Sequence, residues 1–284
     1  MTANAKVSIT AHYTAEVWRR ARLAPSALGT PQGRVLHLLL RGPSWLAGRL
    51  NGGHPLELVL LRRHLLIDHL VGRAIATRGV ASVLELACGL SGRGLRLTRA
   101  HPALRYVESD LPGMVEVKRR ALRRTGRALA PGHRLLALDA LAPPDAWRAA
   151  LGDALDLGRP VLVIAEGLLT YLTGDEVRRT WASLLEALAP APSVGYLANL
   201  PFPDHGAAGG SIRALHRLLA GLVRRPVQAC FASPPEAEAA LRAAGFDEVE
   251  LHAPTDWAQT LGLPAASGPP VQRVVEAWRA TPPT

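Results

Sequence analysis

The sequence predicts an α/β fold with a mostly parallel sheet, and two observations support this. From Val80 onward, short apolar runs alternate with amphipathic helical patterns, which is typical of helices packed on a parallel sheet. The 284 residues are 48% hydrophobic and 20% charged, a composition that supports a sizeable core and excludes a disordered chain. Seven runs are predicted as strands: 80–87, 104–109, 134–139, 160–166, 193–199, 247–253 and 271–278.

Helical patterns occupy the stretches between these strands and give the order of the remaining elements. Two helix starts have capping-box spacing, Thr173 with Glu176 and Ser233 with Glu236. Gly245 follows the last of these patterns and predicts a helix C-terminus there. The predicted helices are 92–100, 113–124, 145–151, 174–188 and 234–244.

Residues 1–79 are predicted to form an N-terminal helical cap or lid, because they show helical patterns and turns without strand alternation. The longest cap helix is expected at 56–76. Residues 80–284 form the predicted core, and a helical insertion at 201–232 follows the fifth strand. Insertions beyond the carboxyl ends of strands are where open α/β sheets build ligand pockets.

Charge and cysteine content limit the kinds of partner and of cellular compartment that we expect. The net charge is +10, but the basic residues are almost all arginine in a chain rich in Ala, Leu, Gly and Pro. This profile follows GC-rich codon usage, so we expect no nucleic-acid partner. Cys88 and Cys230 are too few for a disulfide framework. No signal peptide or apolar run of about 18 residues is present, so we expect a cytoplasmic protein that engages no membrane.

The strongest local motif is VLELACGLSGRGL, residues 83–95. A strand ends at Glu85, and a turn of small residues around Gly89 lets the backbone approach a ligand closely. About 20 residues later, Glu108 and Asp110 end the next strand, where a carboxylate can bind ribose hydroxyls. An acid before the turn disfavours a pyrophosphate and suits the ammonium group of S-adenosylmethionine.

The order of several motifs resembles the leucine carboxyl methyltransferase family of class I methyltransferases over nearly the whole chain. The motifs are ITAHYTAEVWRR, TPQGR, LLRRHLLIDHL, VLELACGLSGRGL, YVESDLPGMVEVKRRAL, HRLLALDAL, AEGLLTYLTGDEV and AALRAAGFDEVELHAP. The resemblance implies a Rossmann-like fold whose seven-stranded sheet has the order 3-2-1-4-5-7-6, with the last strand antiparallel. It also implies S-adenosyl-L-methionine as cofactor and S-adenosyl-L-homocysteine as product, with no metal.

Site roles follow from the same resemblance. Family positions that line the methionine end of the donor match Glu85, Ala87 and Gly89. Glu166 matches the acid at the end of strand four that faces the donor and the acceptor pocket, and Arg63 matches the arginine that pairs with the donor carboxylate. The ribose-binding acid matches Asp110, with Glu108 as a second candidate, and the adenine-reading acid matches Asp139, with Ala140 beside it. Candidates for positioning the acceptor are His12 and Tyr13 in the N-terminal lid and Tyr171 after the fourth strand.

Three positions depart from the family pattern. The usual G-x-G of the turn is A-C-G here, Leu65 stands where many relatives have a polar residue, and Asn199 ends strand five where an acid was expected. Because Asn199 is not an acid, this difference argues against a catalytic base at that position. His64 and Asp68, one helical turn apart, are more simply explained as a hydrogen-bonded pair than as metal ligands.

The resemblance predicts methyl transfer from S-adenosylmethionine to a small-molecule carboxylate or phenol, in polyketide or other secondary-metabolite biosynthesis. Three alternatives stay open: methylation of a protein C-terminal carboxylate, donor binding with a step other than methylation, and RNA methylation. No aromatic-rich nucleic-acid module supports the last of these. A small-molecule acceptor is the expected partner, and the oligomeric state is left open.

Overall fold

A computed structural model describes residues 4–50, 55–126, 128–202, 229–265, 270 and 272–280. Within these ranges, helices precede Val80 and all seven strands follow it. The division into a cap of 1–79 and a core of 80–284 remains a prediction. Most of the insertion at 201–232, including its helical pattern, lies outside the described residues.

Eight α-helices and seven strands are described. The helices are α1 (Asn4–Arg20), α2 (Pro31–Leu50), α3 (Leu56–Arg78), α4 (Arg93–Ala100), α5 (Pro112–Arg123), α6 (Pro144–Leu151), α7 (Gly174–Ala187) and α8 (Pro234–Ala244). The strands are β1 (Ser82–Glu85), β2 (Arg105–Asp110), β3 (His133–Ala137), β4 (Val161–Ala165), β5 (Ser193–Pro201), β6 (Glu248–His252) and β7 (Gln272–Ala280).

The strands form one sheet in the order β3-β2-β1-β4-β5-β7-β6. The first five strands run parallel, and β7 is antiparallel to both β5 and β6. This confirms the predicted class, order and reversed last strand. Parallel strands bring their carboxyl ends to one edge of the sheet, so the segments after β1, β2, β3 and β4 converge there.

Local signals explain where several helices begin and end. Thr173 and Glu176 form the predicted capping box at the start of α7. Ser233 accepts from the backbone N–H of Glu236 at the start of α8, and Gly245 ends that helix in the left-handed conformation. These contacts satisfy backbone groups that a helix terminus leaves unpaired.

The core lies on both faces of the sheet, because neighbouring strand residues point in opposite directions. Leu84 and Val163 face a cluster that contains Trp147 and Trp181 of α6 and α7. On the other face, Val83, Leu162 and Leu197 pack against the middle of α3. The side chains from α3 are Leu66, Ile67, Leu70, Val71 and Ala74. The first half of α3 thereby places Arg63 and His64 beside Glu166, which directly follows β4.

Candidate active site

The turn after β1 adopts a backbone that few side chains tolerate. Ala87 has φ 49° and Gly89 has φ 51°, which is the left-handed region where a Cβ atom is strained. A Cβ placed on Gly89 would lie 3.2 Å from Cβ of Ala11, so helix α1 packs directly over the turn. The A-C-G sequence thus places an alanine in a backbone conformation that glycine adopts more readily.

Asp110, the last residue of β2, closes this turn. Its Oδ2 accepts from the backbone N–H of Gly89 at 2.8 Å, and its Oδ1 accepts from that of Leu111 at 2.8 Å. Burial raises the pKa of Asp110 despite these two hydrogen bonds. Each carboxylate oxygen retains a lone pair for a further donor.

Asp139 lies two residues after β3, at the same edge of the sheet. Its side chain is exposed, and its Oδ1 accepts from the backbone N–H of Leu141 at 2.9 Å. Ala140 beside it is half-buried. Asp110 and Asp139 are therefore carboxylates that keep acceptor capacity at the ends of neighbouring strands.

Sequence reasoning missed the most heavily bonded residue of the site, Arg93. Its guanidinium is fully buried at the start of α4 and donates to three carboxylates from three elements. The distances are 2.5 Å to Asp68 Oδ1, 2.5 Å to Glu85 Oε1 and 2.6 Å to Glu166 Oε2. The sequence did offer one signal, which is the arginine inside the glycine-rich turn motif. If that arginine is buried, its guanidinium requires several acceptors, so an ion-pair centre could have been expected there.

Four further residues, from α3, α4 and β2, join the same network. Arg63 donates from Nε to Glu166 Oε1 at 2.9 Å, and His64 Nδ1 lies 2.8 Å from Glu166 Oε2. Arg96 is paired with Asp68 and lies near His64 Nε2, while Tyr106 donates to Glu85 at 2.8 Å. His64 and Asp68 thus share this ion-pair network, but they are not hydrogen-bonded to each other as the sequence predicted, because His64 Nε2 lies 3.8 Å from Asp68 Oδ2.

Electrostatics keep the buried carboxylates of this network ionised. Burial alone would raise the pKa of Glu166, but His64, Arg93 and Arg63 outweigh it and hold this pKa well below its usual range. Asp68 behaves in the same way, because His64, Arg93 and Arg96 overcome its desolvation and lower its pKa. Glu85, Glu166 and Arg63, which the resemblance places at the donor site, are therefore already paired with protein groups.

Glu108 occupies a different environment from Asp110. Its carboxylate is fully buried, 2.9 Å from Lys118 Nζ of α5 and 3.4 Å from His133 Nε2 of β3. A Cβ on Gly94 would lie 2.6 Å from Glu108 Oε1, so α4 covers it closely. Of the two acids at the end of β2, Asp110 adjoins the turn and Glu108 forms an internal ion pair.

The three acceptor candidates lie in or against the cap. His12 Nδ1 is 3.0 Å from the Thr30 hydroxyl, and Tyr171 donates to the Thr10 hydroxyl at 2.9 Å. Tyr13 is buried, and among the described residues its hydroxyl has no hydrogen-bond partner. The Tyr171 contact joins α1 to the segment after β4, at the same edge of the sheet as the glycine turn.

Asn199 has a structural role that suits an amide better than an acid. Its Oδ1 accepts from the backbone N–H of Gly167 at 2.6 Å, and its Nδ2 donates to Gln272 at 3.1 Å. A carboxylate could not make the second contact, because it has no N–H to donate. Asn199, which stands where the family pattern predicts an acid, therefore fixes the loop after β4.

One group of three possible metal ligands occurs among the described residues, at the β6–β7 edge. Glu250, His252 and Glu276 bring ligand atoms within 4.8 Å of one another. His252 Nε2 is 2.9 Å from Glu276, which also pairs with Arg73 and accepts from Trp278. These contacts make a protein-only network, and the expectation of a metal-free site remains a prediction.

The two thiols should react slowly in the folded protein. Burial raises the pKa of Cys230 to about 11 and that of Cys88 well above its ordinary value. At pH 8 about one Cys230 in a thousand is then a thiolate, the reactive form. Ellman's reagent should label both thiols promptly in urea but Cys230 slowly, and Cys88 more slowly still, in buffer. The variants Cys88→Ser and Cys230→Ser show which thiol gives which phase of the labelling time course. Rapid labelling of folded Cys230→Ser would contradict the burial of Cys88.

Comparison with known proteins agrees with this geometry. Residues 47–185 match the model of the leucine carboxyl methyltransferase family. This similarity to the family covers just under half of the chain. S-adenosylmethionine is the cofactor of that family, and the matched range contains the glycine turn, Asp110, Asp139 and Glu166.

Curated relatives include proteins named as methyltransferases, each matched over less than half of this chain. A Mycolicibacterium smegmatis protein named "Putative S-adenosyl-L-methionine-dependent methyltransferase" is 36% identical over 132 residues, 46% of this chain and 43% of the relative. The tetracenomycin polyketide synthesis O-methyltransferase of Streptomyces glaucescens is 30% identical over 134 residues, 44% of this chain and 45% of the relative. The match thus covers less than half of each of these relatives.

Solved structures share the fold at low sequence identity. A DUF574 family protein from Streptomyces avermitilis has a TM-score of 0.65 and 16% identity, covering 96% of this chain and 97% of that one. An O-methyltransferase family protein from Burkholderia thailandensis has a TM-score of 0.53 and 16% identity, covering 94% and 69%. Both comparisons support the class I methyltransferase fold.

Proposed function

We propose that this chain is an O-methyltransferase that transfers a methyl group from S-adenosylmethionine to a carboxylate or phenol oxygen of a small molecule. A role in polyketide or other secondary-metabolite biosynthesis is part of the proposal. The observation that carries it is the 30% identity to the tetracenomycin polyketide synthesis O-methyltransferase over 134 residues. The separate match to the family model, over residues 47–185, contains the turn and both strand-end acids.

The carboxylates at the strand ends suit the nucleoside half of the donor. Asp110 uses one lone pair on each oxygen for the backbone and keeps one for a ribose hydroxyl. Asp139 keeps its exposed Oδ2 to accept the adenine amino group, with Ala140 beside it. The donor set therefore fits a ligand that offers O–H and N–H groups.

The methionine half would meet the ion-pair network described above. Arg63 uses Nε for Glu166, and a guanidinium has four further N–H groups that can pair with the donor carboxylate. Glu85 and Glu166 supply negative charge for the donor ammonium, and Ala87 and Gly89 give it backbone access. Bound S-adenosylmethionine would supply the electrophilic methyl group.

The chain's own contribution is alignment and exclusion of water. Helix α1 packs on the turn through Ala11, and Thr10 binds Tyr171 from the segment after β4. These contacts close the cap over the edge of the sheet where the strand-end acids converge. Holding the acceptor oxygen in line at about 3–3.5 Å from the methyl carbon accounts for most of the catalysis in such a reaction.

The acceptor candidates are poor general bases. Burial raises the pKa of both Tyr13 and Tyr171, so their hydroxyls stay protonated and serve as hydrogen-bond donors. Burial lowers the pKa of His12, whose Nδ1 is engaged with Thr30. Because a carboxylate is already ionised at pH 7, an acid or an acidic phenol is the acceptor that this site serves best.

The test supplies purified protein with methyl-labelled S-adenosylmethionine and a panel of aromatic carboxylic acids and phenols. We expect labelled product and S-adenosylhomocysteine in equal amounts, with label from a methyl ester released by alkali and label from an ether retained. The family name also suggests a peptide ending in leucine as acceptor, so transfer only to that peptide would favour protein methylation. Donor that binds but is never consumed would reject methyl transfer.

A further inference from the structure

Three polar side chains meet where the cap helices pack together. Tyr13 of α1 and His37 of α2 are 4% and 2% exposed, and their rings stack with centroids 6.2 Å apart. Glu57, in the first turn of α3, brings its Oε1 to 2.9 Å from His37 Nδ1. Among the described helices, these three included, none is long and apolar enough to cross a membrane. We call Tyr13, His37 and Glu57 the cap cluster.

The polar atoms of the cap cluster lack hydrogen bonds. Within the described part of the chain, the Tyr13 hydroxyl and His37 Nε2 are buried without a hydrogen-bond partner. The contact between His37 Nδ1 and Glu57 Oε1 is close but does not meet hydrogen-bond geometry. Leaving a buried polar group unpaired is costly, and native proteins do so rarely. Two such groups on neighbouring helices therefore indicate a ligand that pairs with them.

Apolar side chains surround the cap cluster. Tyr13 packs with Val17, Leu40 and Leu60 in a small core of its own. Half-buried leucines border this core: Leu36, Leu56 and Leu61. The Glu57 side chain is 39% exposed, so the cluster reaches the surface of the cap beside these leucines. An apolar surround with a few polar groups that fix orientation is typical of small-molecule sites.

The cap cluster adjoins the contacts that close the cap over the sheet. Tyr13 lies three positions after Thr10 on α1, so their side chains are neighbours on the helix surface. Thr10 accepts from Tyr171 of the segment after β4. Glu57 begins the helix that carries Arg63, about 9 Å further along the helix axis. An elongated acceptor whose reacting oxygen lies at the strand ends would therefore place its far end at the cap cluster.

The polar atoms of the cluster complement a hydroxyl group. The charge of Glu57 beside Nδ1 of His37 favours the neutral tautomer with its proton on that nitrogen, which leaves Nε2 as an acceptor. Burial and the charge of Glu57 raise the pKa of Tyr13, so its hydroxyl remains a donor. A ligand hydroxyl can donate to Nε2 and accept from Tyr13 at once. A carboxylate fits less well, because it cannot donate and would face the charge of Glu57.

We propose that Tyr13 and His37 bind a hydroxyl group at the end of the acceptor remote from the methylated oxygen, and that Glu57 orients the imidazole. The inference rests on the proposed methyltransferase function and narrows its acceptor to an elongated apolar molecule with a terminal hydroxyl. The body of this molecule would contact the leucines around the cluster. His37 and Glu57 are thus positioning residues, and the reacting oxygen lies elsewhere on the acceptor.

Titration calorimetry in the presence of S-adenosylhomocysteine tests acceptor binding without methyl transfer. One ligand is a hydroxybiphenyl carboxylic acid with its hydroxyl and carboxyl groups at opposite ends, and the other is the same acid without the hydroxyl. We expect the parent protein to bind the hydroxylated acid about tenfold more tightly, because a site that hydrogen-bonds a hydroxyl rejects an analogue that lacks it.

Variants assign this preference to the cap cluster. Tyr13→Phe and His37→Phe keep the ring contact, and each should reduce the preference to about threefold or less. Glu57→Ala should reduce it as well, and Glu57→Gln should restore part of it because an amide oxygen can still face Nδ1. Tyr196→Phe is the matched control, since Tyr196 is fully buried against Trp181 in the main core. It should leave the preference unchanged.

Stability separates a binding role from a structural one. Because the Tyr13 hydroxyl has no hydrogen-bond partner among the described residues, Tyr13→Phe should leave the urea unfolding midpoint unchanged or raise it. A lower midpoint would show that the hydroxyl stabilises the fold and would overturn the proposal.

Two binding results would also overturn it. One is that the two acids bind equally or that neither binds, and the other is that Tyr13→Phe keeps the full preference. Either result leaves the label-transfer assay as the separate test of methyl transfer. A preserved preference without label transfer would instead reject the proposed reaction and keep the hydroxyl site.

Discussion

Replacing Arg93 with methionine should destabilise the folded protein by about 3–5 kcal/mol. The guanidinium neutralises Asp68, Glu85 and Glu166 inside the protein, and methionine would leave these carboxylates without their shared cation. Urea unfolding followed by circular dichroism measures the change. Arg93→Lys should fall between the parent and Arg93→Met, because an ammonium group keeps the charge but cannot reach three carboxylates in a fork.

Two comparisons make this prediction specific. Arg99 lies on the same helix but is exposed, so Arg99→Met should change stability by less than about 0.5 kcal/mol. Adding Glu85→Gln to Arg93→Met should restore part of the loss, because it removes one uncompensated charge and keeps an acceptor for Tyr106. Equal unfolding midpoints for Arg93→Met and Arg99→Met would contradict a stabilising role for the network.

Replacing Asp110 with alanine should weaken binding of S-adenosylhomocysteine about 10- to 100-fold. Charge-assisted hydrogen bonds of the kind proposed to ribose contribute about 1.5–3 kcal/mol. The substitution also frees the backbone N–H of Gly89, which Asp110 Oδ2 accepts in the folded turn. Titration calorimetry with the purified chain gives the affinity, and the unfolding midpoint of the same sample shows whether the fold persists.

Asp145→Ala is the matched control, because this exposed acid lies at the start of α6 and pairs with Arg148. It should leave the affinity unchanged. Asp110→Asn should give an intermediate loss, since an amide oxygen accepts a hydrogen bond but carries no charge. If Asp110→Ala binds S-adenosylhomocysteine as tightly as the parent protein does, the ribose assignment is refuted. This result has no bearing on the proposed acceptor, because the acceptor is absent from the experiment.

The strands and capping boxes could be predicted from the sequence because their signals are local. Buried strands of a parallel sheet are commonly short apolar runs. The two helix starts need only residues three positions apart: Thr173 forms a capping box with Glu176, and Ser233 accepts from the backbone N–H of Glu236. The order of strands came from the resemblance to a known family. The turn around Gly89 and the acid at Asp110 could be placed because a close backbone approach demands small residues.

What only the tertiary structure decided is which charged groups meet. Arg93 bonds to Glu166, 73 positions away, and Arg63 bonds to the same carboxylate across 103 positions. Glu108 and Asp110 look equivalent in the sequence, yet the packing of α4 and α5 buries Glu108 against Lys118 and leaves Asp110 beside the turn.

The exposure of Val35 and Leu38 of α2 was likewise hidden, because a single apolar residue in a helix does not show whether the core or the solvent will face it. The fold class could be predicted from local hydrophobic periodicity, because that periodicity is visible directly in the sequence. Ion pairing and exposure depend on distances between segments that are far apart in the chain, and folding alone sets those distances.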